Sequence, residues 1–217
     1  MALSCERLDV RSDLEDVERR KTVHVAMREG HGALARLAEH SEDWKLRLLA
    51  ASRLKDQVVL LRIVEKGVPQ VQKVAIAQLT DQVELARLAR LRRLGWSVRK
   101  VAVLRLKDSR KLVRFAAKDL DWQVRKAATS RLTDQVELAW IAEHDPQGEV
   151  RSAVVPRLLN QRSLARIAKR DALWYVRMLA VKVLQDQKVL TWVAVHDVDW
   201  QVREAACLKI SRKETKS

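Results

Sequence analysis

Residues 122–145 read WQVRKAATSRLTDQVELAWIAEHD, and this stretch decides the fold. In its first half, apolar residues recur at i, i+3, i+4 and i+8, the spacing of one helical face: Val124, Ala127, Ala128 and Leu132. Its second half repeats the pattern at Leu138, Ile141 and Ala142. Asp134 stands between the halves, where its carboxylate can cap the second helix. The stretch therefore predicts two short helices joined by a turn.

The Val-Arg dipeptide of this stretch returns along the chain with a period of 26 residues. Copies begin at Val98, Val124, Val150, Val176 and Val202. Leu46-Arg47 and Val71-Gln72 keep the frame, and a degenerate copy begins near Arg20. Helices of about ten residues are marginal alone, so neighbouring repeats must stack to bury their apolar faces. We expect an all-α fold, a right-handed α/α solenoid of about seven two-helix repeats.

The repeat also predicts the domain organisation. We expect one solenoid domain over residues 20–210, with no boundary inside the array. Residues 1–19 form an N-terminal cap segment in this prediction, and residues 211–217 form a polar C-terminal tail.

An Asp and an Arg six residues apart recur in register with the repeat. The pairs are Asp119/Arg125, Asp145/Arg151, Asp171/Arg177 and Asp197/Arg203. With the Val before each Arg and the Ala-Ala pair after Arg125, these runs resemble the second helix of a HEAT repeat. The resemblance covers roughly residues 20–210. It implies that the pairs form a structural ladder linking successive repeats, and that the Val-Arg helix lines the concave side of the solenoid.

The repeat length departs from that family, because HEAT repeats usually have about 40 residues. A period of 26 residues is closer to the short bacterial HEAT-like repeats of phycobilin-lyase-related proteins and to the leucine-rich repeat variant. The latter resemblance implies an N-terminal cysteine cluster that holds an iron–sulfur centre. Only Cys5 is present near this N-terminus, so we expect no such cofactor.

Composition limits the class of partner and the compartment. The formal net charge is +15. Such a charge attracts polyanions, and the alternative interpretation is that it only keeps the protein surface solvated. Two distant cysteines and an N-terminal segment without an apolar core predict a cytoplasmic protein. No stretch has the roughly 18 uncharged apolar residues of a membrane span, so no membrane contact is expected.

Catalytic and metal-binding patterns are lacking. The five glycines are scattered, and no phosphate-binding loop or nucleophile elbow is present. His40, His144 and His196 share a column of the repeat but lie two or more repeats apart, too far to share an ion. We expect no enzyme activity, no metal and no cofactor.

Two surfaces are candidates for binding. On the Val-Arg helices, helical projection predicts a groove that is partly apolar and basic in its middle. Its partner-binding residues are predicted to be Lys73, Lys100, Val103, Lys126, Val155 and Met178. On the outward side of the other helices, one column forms an arginine stripe suited to phosphates. It contains Arg36, Arg62, Arg87, Arg114 and Arg166, with Trp140 and Trp192 in the same register.

The groove favours a non-catalytic scaffold that binds a partner protein or peptide, because exposed apolar area marks protein contacts. The alternative is a nucleic-acid-binding solenoid that uses the arginine stripe, as HEAT-like DNA glycosylases imply by resemblance. A chromophore lyase is a third and weaker alternative, implied only by the phycobilin-lyase resemblance. A monomer is expected in each case.

Overall fold

The structure is a computed structural model that describes the backbone of residues 2–214 and the side chains of residues 13–211. This part of the chain is helical and contains no strand. Its helices are α1 Ala2–Glu29, α2 His31–His40, α3 Trp44–Ala51, α4 Gln57–Lys66, α5 Pro69–Gln78, α6 Gln82–Arg90, α7 Trp96–Arg105, α8 Ser109–Lys118, α9 Trp122–Ser130, α10 Gln135–His144, α11 Gly148–Val154, α12 Gln161–Arg170, α13 Trp174–Val183, α14 Gln187–His196 and α15 Trp200–Glu214. A 3₁₀ turn, Val155–Arg157, follows α11. The Cys5 side chain and residues 215–217 of the predicted tail lie outside the described residues.

The helices group into two units, residues 1–105 and residues 106–217. In the first unit, the Val-Arg helices α3, α5 and α7 stack in order, and α1 packs beside α3. In the second unit, α9, α11, α13 and α15 stack in the same way, and each packs against the first helix of its own repeat. The predicted all-α fold of stacked helix pairs is confirmed. Helix α1 runs without a break across residue 19, and the predicted domain bounds stay a prediction.

The first helices of six repeats, α4, α6, α8, α10, α12 and α14, begin at a capping side chain, whereas α2 begins after Gly30. The Asp134 carboxylate accepts the backbone N–H groups of Val136 at 2.8 Å and Glu137 at 3.3 Å. The same position caps the equivalent helices through Asp56, Asp81, Asp108, Asn160 and Asp186. These caps satisfy N–H groups that a helix cannot bond internally, so the repeat fixes where each helix starts.

The core consists of the apolar positions that the spacing predicts. Val124, Ala128 and Leu132 are at most 2% exposed, and Leu138 and Ile141 are 1% exposed. Residues at these positions meet the equivalent positions of neighbouring repeats, because helices of the same kind stack. Repeat-to-repeat burial therefore supplies the stability that a single helix pair lacks.

The buried face of a Val-Arg helix is wider than the projection indicates. Val103 and Val155, predicted to contact a partner, are both 0% exposed, so that prediction is wrong. Within a stack, such a helix has Val-Arg neighbours and also the first helix of its repeat against it. These neighbours bury the column five residues after the Val, including Ile76, Thr129 and Val181, except in the last repeat, where Cys207 is exposed. The apolar column is core and does not line a groove.

In the second unit, the Asp/Arg ladder joins successive repeats through buried ion pairs. Arg125 donates Nε to one Asp145 carboxylate oxygen at 2.7 Å and Nη2 to the other at 2.9 Å. Its Nη1 donates to the Asp119 carbonyl at 3.0 Å. The Asp six residues before the Arg thus contributes its backbone, whereas the carboxylate partner lies 20 residues after the Arg. Arg151–Asp171 and Arg177–Asp197 repeat this geometry.

A second connection between repeats lies at the opposite helix ends and was not predicted. Gln135 Oε1 accepts the Leu159 backbone N–H at 2.9 Å, and Gln161 Oε1 accepts that of Gln185 at 2.8 Å. Gln57 makes the same contact with Thr80 in the first unit, at 2.9 Å. A glutamine follows the capping residue in every capped repeat except one, where Ser109 follows Asp108, so this column also belongs to the scaffold.

Candidate interaction surfaces

Each Val-Arg helix leaves one narrow side free. Residues at its first position, and four and eight residues later, share that side because four residues make about one helical turn. The rows are Trp44-Leu48-Ser52, Pro69-Lys73-Ala77 and Trp96-Lys100-Leu104 in the first unit, and Trp122-Lys126-Ser130, Gly148-Ser152-Pro156, Trp174-Met178-Lys182 and Trp200-Glu204-Leu208 in the second. We call these rows the Trp–Lys face of each unit.

The Trp–Lys face combines exposed aromatic rings with lysines. Trp96 is 42% exposed, Trp174 39% and Trp200 62%. The Lys126 ammonium lies 6.0 Å from the centre of the Trp122 ring, within range of a cation–π interaction. The predicted partner-binding residues Lys73, Lys100, Lys126 and Met178 all belong to this face, and none is buried. Tryptophan, not the valine column, supplies its apolar area.

The first position of the rows is not a Trp in two helices, at Pro69 and at Gly148, and for Gly148 the structure gives the reason. A Cβ atom on Gly148 would lie 2.1 Å from Leu173 Cδ1 and 2.4 Å from the Tyr175 hydroxyl. Leu173 from the loop and Tyr175 from the helix of the next repeat therefore fill the space that a Trp occupies elsewhere. Burial raises the pKa of the Tyr175 phenol, and the Glu149 charge acts in the same direction.

All five stripe arginines are exposed, as helical projection predicts. Three of them are engaged by glutamates, however. Arg62 Nε lies 2.8 Å from Glu39, Arg87 Nε lies 2.6 Å from Glu84, and Arg166 Nη2 lies 2.8 Å from Glu143. Exposed pairs of this kind contribute little to stability, but they offset part of the positive charge of the stripe.

The two tryptophans in the stripe register stack on histidines one turn later. Trp140 and His144 have ring centres 5.3 Å apart, and Trp192 and His196 have centres 4.9 Å apart. Each His Nδ1 lies 2.9 Å from the carbonyl oxygen of its Trp. These histidines therefore serve as local surface contacts, and residues 13–211 bring together no cluster of three potential metal ligands.

The Asp197 carboxylate of the ladder is held ionised by its surroundings. Burial raises the pKa of its carboxyl group. Hydrogen bonds from Arg177 and the Asp199 backbone N–H, together with the positive charges of Arg177 and Arg203, lower that pKa and outweigh the effect of burial. The pKa of Asp197 is therefore lowered. On the Arg177 side, the hydrogen bond to Asp197 raises the pKa of the guanidinium despite its burial.

This lowered pKa predicts acid sensitivity. The unfolded chain holds a proton on Asp197 more readily than the folded chain, so the contribution of Asp197 is complete above the unfolded pKa of about 3.9 and is lost as the pH falls through the lower folded value. Urea unfolding between pH 6 and pH 3 should show the stability advantage of the wild type over Asp197→Asn shrinking below about pH 4. An advantage that stays constant over this range would contradict the assignment.

Comparison of the chain with protein-family models, with curated proteins and with solved structures finds no significant match. Within the described residues, no helix has both the length and the apolar character needed to cross a bilayer.

Proposed function

We propose that the protein is a non-catalytic scaffold whose Trp–Lys face binds an acidic partner protein or peptide that carries apolar side chains. The observation that carries this proposal is the exposure of Trp96 and Trp174 beside surface lysines. Tryptophan is enriched among the residues that dominate protein interfaces, because a large rigid ring buries much apolar area at little entropic cost. Lysines around it favour a partner of negative charge.

Because Val103 and Val155 are buried, the proposed site lies on the Trp–Lys face and not on the valine column. The class of partner is the same as the one that the sequence predicts. A valine groove would have bound an apolar strip along its floor, whereas the Trp–Lys face offers separated rings with charged neighbours. Such a surface suits short segments in which an aromatic or aliphatic residue alternates with Asp or Glu. We take peptides of this kind as the ligand.

The test is selection of peptides from a random display library on the full-length protein, followed by affinity measurements on the selected peptides. Acidic peptides with apolar residues should be enriched. The variant Trp96→Ser/Trp174→Ser should bind them at least about tenfold more weakly, since truncation of an interface aromatic commonly costs more than 1.4 kcal/mol.

The stripe supplies the matched control. Trp140 is 48% exposed and Trp192 39%, which is close to the exposure of Trp96 and Trp174. The variant Trp140→Ser/Trp192→Ser should therefore lose as much exposed aromatic area and keep its affinity for the selected peptides. Enrichment of no peptide, or equal loss in both variants, would refute the proposal, and loss in the control alone would move the site to the first helices.

A further inference from the structure

The loop between α6 and α7, residues 91–95, departs from the repeat in the sign of its charge. The corresponding loops of the second unit begin with the ladder residues Asp119, Asp145, Asp171 and Asp197. Counted from the capping residue Asp81, the equivalent position in the first unit is Arg92; counted back from Arg99, it is Arg93. Arg90, in the last turn of α6, adds a third guanidinium within four residues.

The ladder residue that would face Arg92 is also changed. In the second unit, Asp145, Asp171 and Asp197 each accept from an Arg 20 residues earlier in the chain. The residue 20 positions before Arg92 is Gln72, a neutral side chain. Gln72 Nε2 donates to the Val64 carbonyl at 2.7 Å, which keeps a backbone contact of the kind that the ladder arginines make. Both members of one ladder pair are thus replaced. Because position 72 is Gln and not Arg, Arg92 does not face a second guanidinium.

This double replacement leaves the loop arginines exposed and without carboxylates. Arg90, Arg92 and Arg93 are exposed, and among the described residues none of them has an ion pair or a side-chain hydrogen bond. No Asp or Glu occurs between residues 85 and 105, a segment that has seven Lys and Arg. Arg62, Arg87 and Arg166 of the stripe differ, because each has a glutamate partner.

The loop is also held in a defined conformation. The Leu91 N–H donates to Leu88 O at 3.1 Å, and the Leu94 N–H donates to Leu91 O at 2.9 Å. Leu94 is 4% exposed and anchors the loop in the core. Less conformational entropy is then lost when a ligand binds than for a loose basic tail.

We infer that Arg90, Arg92 and Arg93 form a binding site for the phosphodiester backbone of nucleic acid. Guanidinium groups bind phosphate oxygens through two parallel hydrogen bonds, a geometry that lysine does not match. Three such groups on a short loop fit the closely spaced charges of a nucleic-acid strand. The site lies outside the arginine stripe and the Trp–Lys face, except that Arg90 shares helix α6 with Arg87 of the stripe, and it is independent of peptide binding.

The test uses fluorescence anisotropy with labelled single-stranded DNA, duplex DNA and single-stranded RNA at 50 mM salt. The variant Arg90→Gln/Arg92→Gln/Arg93→Gln should bind at least about tenfold more weakly than the wild type, because three phosphate contacts are lost. The control Arg131→Gln/Arg162→Gln/Lys188→Gln removes three exposed positive charges elsewhere, so its net charge changes by the same amount. It should bind within about twofold of the wild type, because the loop arginines are still present. Circular dichroism should show that both variants are folded.

Three outcomes would overturn this site. These are the absence of wild-type binding to all three probes, an equal loss of affinity in both triple variants, and binding of poly-glutamate as tight as that of nucleic acid through the same arginines. In each case the peptide affinity of the loop variant, measured in parallel, reports separately on the Trp–Lys face. The relative affinities of the three probes identify which form of nucleic acid the loop prefers.

Discussion

Replacing Arg151 by Ala is expected to lower the free energy of unfolding by about 3–5 kcal/mol. The Asp171 side chain is 5% exposed, and both of its carboxylate oxygens accept hydrogen bonds from Arg151. Without the guanidinium, that carboxylate stays in the protein with no cation beside it, and the Asp145 carbonyl loses its donor as well. Urea unfolding followed by circular dichroism measures the loss.

Arg203 provides the control for this prediction. It occupies the same column and donates Nη1 to the carbonyls of Asp197 and Val198, but within the described residues it has no carboxylate partner. Arg203→Ala should therefore cost about 1 kcal/mol, the usual contribution of a hydrogen bond. The double variant Arg151→Ala/Asp171→Ala should recover part of the loss, because no unpaired charge remains. Equal losses for Arg151→Ala and Arg203→Ala would show that the ion pair adds nothing.

The parts of the fold that depend on local chemistry were predictable from the sequence. Helix starts follow from capping residues, as Asp134 shows, and the core positions follow from apolar spacing. The structural role of the Asp/Arg columns also followed, because an active site does not recur in every repeat. The identity of each carboxylate partner did not follow, since a spacing of six residues suggests a pair within one repeat, whereas Arg125 reaches Asp145 in the next.

The candidate site was harder to predict because exposure depends on how many neighbours a helix has. Helical projection gives the direction of Val103 from the helix axis, but it does not reveal that α5 and α6 both pack against that helix and that Val103 is buried. The same omission hid the partly exposed tryptophans at the starts of the Val-Arg helices. Trp96 and Trp174 lie at the edge of the stack, where packing covers only part of each ring.

The loop arginines could have been found in the sequence by searching for departures from the repeat. When the repeats are aligned on their capping residues, Arg92 stands in a column of aspartates, and Gln72, 20 residues earlier, stands in a column of arginines. Columns that keep the same residue from repeat to repeat identify the scaffold, because each repeat needs that residue for the same packing or capping contact. A binding site is needed only once, so it is found where a column changes.

Salt dependence should distinguish the two proposed surfaces by a large margin. For duplex DNA the logarithm of the binding constant falls with the logarithm of salt concentration by about 0.9 per phosphate contact, and for single strands by about 0.7. The three loop arginines alone then predict a loss of about 40-fold in duplex affinity between 50 and 200 mM salt. Six contacts, with stripe arginines adding to the loop, would predict a loss of more than about 10³-fold.

Peptide binding to the Trp–Lys face should change only a few-fold over the same range, because burial of tryptophan rings releases few counterions. In the variant Arg90→Gln/Arg92→Gln/Arg93→Gln, the salt slope for duplex DNA should decrease in magnitude by about 2.7, whereas the peptide slope should be unchanged. The number of lost contacts, read from the slope, must agree with the number of arginines removed. A slope that does not change in this variant would mean that the loop does not touch phosphate, even if the affinity itself had fallen.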